Sequence, residues 1–225
     1  MKKFIPMVFL FSFSILFSAD VLFAGIGIKA GAGISGLNSA TGDFRHFLGY
    51  EMSWLSMGNL RVFQVGVFKS FHISKYLKFQ PEIFYSLRGG DASQDFAYGR
   101  VRYQVSIRYL ELPLLAKVEI PIKGKFLASF LAGPYAALKL GAKKTSDFWG
   151  EKETADLPNV KSLDYGAIVG GGFEVPLGSG HWVVELRFNY GLNNVMTIPE
   201  DFIRLYEDKD FLRNFAGVIM TGYRF

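Results

Sequence analysis

The chain predicts an all-β fold, an eight-stranded antiparallel up-and-down transmembrane β-barrel, on three observations. Stretches of period-two hydrophobicity recur along it, the links between them alternate short and long, and a short apolar leader with a cationic start precedes them. The same pattern is nearly silent on activity.

The leader is set aside first. Lys2 and Lys3 open it, residues 4–17 are almost wholly apolar, and residues 18–24 relax toward the small Ala24. This predicts a signal peptide over residues 1–24 and a barrel domain over residues 25–225, with Leu22 bulkier than a cleavage site prefers. The apolar run is short for a spanning helix, which needs about 20 residues. Cysteine is absent, so disulfides, thiolate metal sites and a cysteine-borne lipid anchor are excluded. The formal charge of +5 falls to +4 once Lys2, Lys3 and Asp20 leave with the leader. That mild, scattered excess leaves no nucleic-acid footprint. Twenty-five glycines and 16% aromatic residues suit a lipid-facing sheet.

The strands follow in order. Residues 26–35 set Ile26, Ile28, Ala30, Ala32 and Ile34 against Gly27, Lys29, Gly31, Gly33 and Ser35. Residues 63–71 carry Phe63, Val65 and Val67, with Lys69 on that same face. In 78–88, Phe79, Pro81, Ile83, Tyr85 and Leu87 oppose Lys78, Gln80, Glu82, Ser86 and Arg88. Residues 110–120 place Leu110, Leu112, Leu114, Ala116 and Val118 against Glu111, Lys117 and Glu119. Residues 126–140 are apolar on both faces, which leaves their register open. In 163–175, Tyr165, Ala167, Val169, Phe173 and Val175 oppose Asp164, Gly170, Gly172 and Glu174. The clearest strand, 182–192, alternates Trp182, Val184, Leu186, Phe188, Tyr190 and Leu192 with Val183, Glu185, Arg187, Asn189 and Gly191. Residues 215–225 close the chain, with Phe215, Ile219, Tyr223 and Phe225 on one side and Arg224 on the other.

Short turns are expected at 72–77, 120–125 and 176–181, and long loops at 36–60, 89–104, 141–162 and 193–212. Short periplasmic turns and long extracellular loops are what an up-and-down barrel requires, with both termini periplasmic. In the last loop Pro199, Glu200 and Asp201 suit the first turn of a short helix. Tyr85, Tyr165 and Tyr190 fall toward the outer end of their strands, and Phe79, Phe173 and Trp182 toward the inner end, as two aromatic girdles would. Hydrocarbon cannot satisfy a bare strand edge, so the sheet must close. Pro81, Pro113 and Pro134 lie inside strands. Proline in a sheet marks an edge or a bulge, so bulges are expected at Pro113 and Pro134.

Several phrases resemble the porin family of outer membrane β-barrel domain proteins abundant in Bacteroidetes, often labelled PorT-like. They are Gly27-Ile28-Lys29-Ala30-Gly31, Gln80-Pro81-Glu82-Ile83-Phe84-Tyr85-Ser86, Leu110-Glu111-Leu112-Pro113-Leu114-Leu115 and Ala132-Gly133-Pro134-Tyr135. Glu185-Leu186-Arg187-Phe188-Asn189-Tyr190-Gly191-Leu192 and Gly222-Tyr223-Arg224-Phe225 are similar too. The resemblance implies a barrel in the cell outer membrane, with prolines where the family carries them and, for a few members, a link to protein secretion. Tyr223 and Phe225 look like the signal that barrel-assembly machinery reads.

Candidate chemistry lies on the inward faces. Glu82, Glu111, Lys117, Glu119, Glu174, Glu185, Arg187 and Arg224 would point into a lumen that side chains fill at this strand number. One reading is a static polar core; the other is a gate whose salt bridges exchange partners to pass small ions. Catalysis is not expected. His46, near Ser39, Asp43 and Ser53, loosely resembles the His and Ser pairs of lipid-modifying barrels, while His72 and His181 sit at inner turns, and no spacing motif joins any of them. Three isolated histidines make no metal site, and no cofactor is implied. The runs Gly31-Ala32-Gly33 and Gly170-Gly171-Gly172 lie within strands and precede no helix, so they are not phosphate loops. Phe44, Trp54, Phe96, Tyr98, Phe148, Trp149, Phe202 and Tyr206 dot the outer loops, either capping the barrel or meeting a partner. A structural or partner-binding role is therefore expected, with a narrow gated pore as the alternative. Partners would be outer-membrane lipids, the assembly machinery, and an envelope protein or surface polysaccharide.

Overall fold

The computed structural model describes residues 25–39, 56–58, 60–97, 99–122, 126–195 and 212–225. The expected leader, His46 with Asp43 and Ser53, the helix expected from Pro199, and Phe44, Trp54, Tyr98, Phe202 and Tyr206 lie outside these residues, as do the side chains of Ser39 and Phe96.

Among the described residues, eleven strands form one antiparallel sheet: β1 (Ile26–Ser39), β2 (Ser56–Gly58), β3 (Leu60–Lys69), β4 (Phe71–His72), β5 (Leu77–Phe96), β6 (Gly99–Pro121), β7 (Leu127–Phe148), β8 (Glu151–Asp156), β9 (Leu163–Leu177), β10 (Gly180–Gly191) and β11 (Leu212–Arg224). Eight of them close in a ring, β1-β3-β5-β6-β7-β9-β10-β11, each paired with its neighbour in the chain and β11 returning to β1. This is the eight-stranded up-and-down barrel that the alternation predicts. β2 and β4 add to β5, and β8 adds to β7.

The seam is continuous. Gly27 pairs with Arg224 and the register holds to Ser39 opposite Leu212. Beyond it, the Phe225 amide donates to the Ile26 carbonyl at 2.8 Å and the Gly25 amide to Phe225 at 3.3 Å. Tyr223 and Phe225 both face outward, their rings 5.0 Å apart edge to face, and the Tyr223 hydroxyl donates to the Leu177 carbonyl at 2.8 Å.

Period-two alternation sets which residues meet lipid. Phe63, Val65, Val67, Ile83, Leu112, Leu114, Val169, Leu186 and Phe188 are all exposed on the outer surface. An apolar belt of this extent is stable only against hydrocarbon. Phe79, Phe173 and Trp182 lie at its terminal end, and Tyr85, Tyr165 and Tyr190 toward the other, all exposed. The open register of 126–140 resolves with Phe130, Leu138 and Leu140 outward and Ser129, Leu131, Tyr135 and Ala137 inward.

Two expectations are corrected. Residues 89–104 and 141–162 are not long loops. β5 and β6 stay paired to Phe96 opposite Gly99, and β7 runs to Phe148 before reversing into β8. Past the lipid belt the outward face is polar and, along β6, the apolar residues Val101, Tyr103, Val105 and Ile107 turn inward, so the alternation inverts while backbone pairing continues. Nor do Pro113 and Pro134 make bulges. Glu111 pairs with Ala137 and Ala116 with Ala132 in one unbroken register, and the irregularity in this pair lies between Arg108 and Tyr109. Proline removes a donor without requiring an extra residue, so the ladder thins there and its register holds.

Two inward glycines permit the tight coiling of the small barrel. A Cβ on Gly66 would lie 2.0 Å from the Ile83 carbonyl oxygen, and one on Gly33 would lie 1.9 Å from that of Gly217. Backbone cannot yield as a flexible side chain can. Gly33→Val and Gly66→Val should each destabilise the barrel by roughly 2–4 kcal/mol, read by urea unfolding in lipid vesicles. Gly217→Ala, whose Cβ would meet only the Phe188 ring at 3.7 Å, should unfold like the parent.

Candidate functional site

The lumen is the densest concentration of ionisable side chains among the described residues, and strand parity puts them there. Six cations (Lys29, Lys78, Arg88, Lys117, Arg187 and Arg224) and six carboxylates (Glu82, Glu111, Glu119, Asp164, Glu174 and Glu185) are buried on inward-facing positions. Each unpaired charge inside would cost several kcal/mol, so what each one meets is decisive.

Order along each strand divides them into layers. Nearest the chain termini lies an ionic lattice. Arg187 grips Glu82 through two bonds, at 2.5 and 2.7 Å, and reaches Glu185 at 2.5 and 2.9 Å. Lys29 sits between the same two carboxylates, at 2.8 Å from Glu185 and 3.3 Å from Glu82, and its ammonium lies 4.1 Å from the centre of the Phe68 ring. Lys117 joins Glu174 at 2.5 Å to Glu185 at 3.3 Å. Arg224 caps Glu174 at 2.7 Å, and Lys78 holds Glu119 at 2.6 Å. Gln80 donates to Glu82 at 2.6 Å and accepts from Ser70 at 3.0 Å. The lattice thereby ties β1, β5, β6, β9, β10 and β11 together across the lumen.

A second polar layer follows toward the long hairpins. Arg88 pairs with Glu111 at 2.6 Å and lies 4.9 Å from the centre of the Tyr135 ring. Glu111 also accepts from Ser86 and, at 3.4 Å, from Gln64. Asp164 accepts from Asn214 at 2.9 Å and from Tyr135 at 3.4 Å, and Asn214 also donates to Tyr109 at 3.2 Å. Beyond this layer Leu37, Val101, Tyr103, Val105, Ile107, Ala142, Val160 and Val195 close the mouth in one buried apolar cluster.

Of the eight charges singled out from the sequence, seven fall in the ionic lattice. Glu111 stands apart, in the second layer with Arg88. Lys29, Lys78, Arg88 and Asp164 complete the set and were missed. Their signal was the same inward parity, since each alternates with lipid-facing residues on its own strand. The geometry holds cations and carboxylates against one another. No cluster of metal-ligating side chains occurs among the described residues. His72 and His181 lie at the terminal end, on β4 and β10.

Among solved structures, the chain is similar to Neisserial surface protein A at 12% identity and a TM-score of 0.45, covering 90% of this chain and 98% of that one. OprG, an outer membrane protein of Pseudomonas aeruginosa, is similar at 11% identity and a TM-score of 0.45, covering 90% and 96%. Ail, the attachment invasion locus protein of Yersinia pestis, solved with the heparin analogue sucrose octasulfate, is similar at 13% identity and a TM-score of 0.40, covering 90% and 99%. No curated protein matches this sequence. Residues 16–197 match the family described as "Outer membrane protein beta-barrel domain", and the chain, closed by eight strands around a charged lumen, belongs to that family.

Proposed function

We propose that this outer membrane barrel serves a structural or partner-binding role in the cell envelope rather than as a conduit. The observation that carries this is the lumen, where paired charges fill the section and a buried apolar cluster lies over them. An ion entering would have to break buried pairs and then cross a layer of aliphatic side chains. No catalytic step belongs to this reading. The working surface is instead the sheet formed by the far halves of β5, β6 and β7 with β8, which continues past the apolar belt.

In this reading the short turns and both termini face the periplasm, and the long hairpins face outward. Tyr223 and Phe225, outward-facing at the end of the seam strand, serve as the signal for the barrel-assembly machinery. A secretion-accessory role of the PorT-like kind is a narrower form of the same proposal.

A gated pore is the second reading, and one observation favours it. Lys29 and Lys117 each touch two carboxylates, so each has an alternative partner within 3.3 Å. Planar-bilayer recording decides between the two. The purified barrel should show no persistent conductance, and Arg187→Met should leave the trace unchanged, because the apolar layer remains. Conductance steps that change with this substitution would establish the gate.

The lattice should still be energetically stiff. Removing one member strands a buried charge, so Arg187→Met should cost about 3–5 kcal/mol. Adding Glu82→Gln should restore part of that loss, and the non-additivity is read from a double-mutant cycle of unfolding free energies in vesicles.

A further inference from the structure

The tip of the β7–β8 hairpin carries a conformational outlier. Trp149 adopts a φ of 54°, and among the described residues it is the only non-glycine with positive φ. Together with Gly150 at φ 98° it turns the chain between Phe148 and Glu151. A bulky aromatic is a poor choice for the left-handed region, where Asn or Gly turns a hairpin at lower cost. Trp149 is nevertheless 67% exposed, so burial of its ring does not offset that cost.

The surroundings hold the indole in place. The Trp149 amide donates to the Arg100 carbonyl at 3.0 Å, which ties the tip to the neighbouring β5–β6 hairpin. The Gly150 amide donates to Asp147 at 3.0 Å. The ring rests against Gly99, where an added Cβ would come within 2.8 Å of its Cδ1. Charged pairs flank it: Arg100 with Asp95 at 3.0 Å, both more than half exposed, and Lys152 with Asp147 at 3.8 Å. Phe148 is turned toward the sheet, its ring edge-on to Tyr103 at 5.4 Å.

We propose that Trp149 is a stacking platform for one sugar ring of a cell-surface glycan. The apolar C–H face of a pyranose packs on the indole, and its hydroxyls bond to Asp95, Arg100 and Lys152. A protein partner is the poorer fit. A stable protein interface needs about 800 Å² per side around a cluster of apolar anchors, whereas the exposed indole is edged by the charged pairs Arg100–Asp95 and Lys152–Asp147. The inference rests on the partner-binding reading above and names the partner's class.

The test uses the full barrel in detergent micelles, titrated with maltohexaose, chitohexaose, mannohexaose and the delipidated surface polysaccharide of the source bacterium. Tryptophan fluorescence and calorimetry report binding, and heat-modifiable migration confirms that every variant is folded. Saturable binding to at least one glycan is expected. Trp149→Ala should weaken it about tenfold or more, and Trp149→Phe less. Absence of binding by all four probes at millimolar concentration overturns the proposal. So does equal binding by the parent and Trp149→Ala, or a Trp149→Ala defect confined to glycan-free phospholipid vesicles. A glycan-silent barrel that still binds an envelope protein through the β5–β8 sheet would sink this inference and leave the broader reading standing.

Discussion

A strand edge inside a bilayer has nothing to bond with, so the pairing of β11 with β1 governs everything else in this molecule. That seam runs from Gly27 opposite Arg224 to Ser39 opposite Leu212, and the terminal Phe225 extends it to the Ile26 carbonyl. Closure with eight strands leaves an interior only wide enough for side chains. Alternation then sends every second residue into that interior, whatever its chemistry. The inward glycines follow from the same narrowness, because backbone oxygens of adjacent strands occupy the space a Cβ would need.

Charge balance is the second consequence. Residues forced into the lumen are shielded from bulk water, so eleven of these twelve charges pair with an opposite charge, and Asp164 is met by Asn214 and Tyr135. Arg187 and Lys29 share Glu82 and Glu185, and Lys117 extends the chain of contacts to Glu174 and Arg224. Such a lattice is weak evidence for stability, since apolar packing could fill the same volume. Its physical effect is stiffness: it cross-links strands that are far apart around the ring, and it fixes which face of each strand looks inward.

The far halves of β5, β6 and β7 obey a different constraint. They have left the apolar belt, and their outward face carries Arg100, Arg102, Arg108 and Lys143 instead of aliphatic residues. Their inward face still closes over Val105 and Ile107. The sheet therefore changes its outer solvent without breaking its ladder. Trp149 and the charged pairs at its tips stand outside both lipid belt and lumen, where a change of side chain leaves the barrel undisturbed.

Period two, glycine content and the rhythm of turns were sufficient to determine eight spanning segments, the lipid-facing side of most of them and the inward parity of eight lumenal charges. These are local properties, carried within each strand by the two environments that it separates. What only the tertiary structure decided is non-local. Arg187 meets Glu82 across 105 residues of chain, and no pattern within either strand encodes that choice. Residues 126–140, apolar on both faces, took their register from the neighbours β6 and β9. The segments 89–104 and 141–162 look like loops because their outward face is polar; along β6 the alternation in fact persists with its polarity inverted, Val101, Tyr103, Val105 and Ile107 buried between Arg100, Arg102, Gln104, Ser106 and Arg108, while interstrand hydrogen bonding continues. Trp149 is an ordinary aromatic in the sequence; its left-handed backbone and its seat on Gly99 exist only once two hairpins are brought side by side.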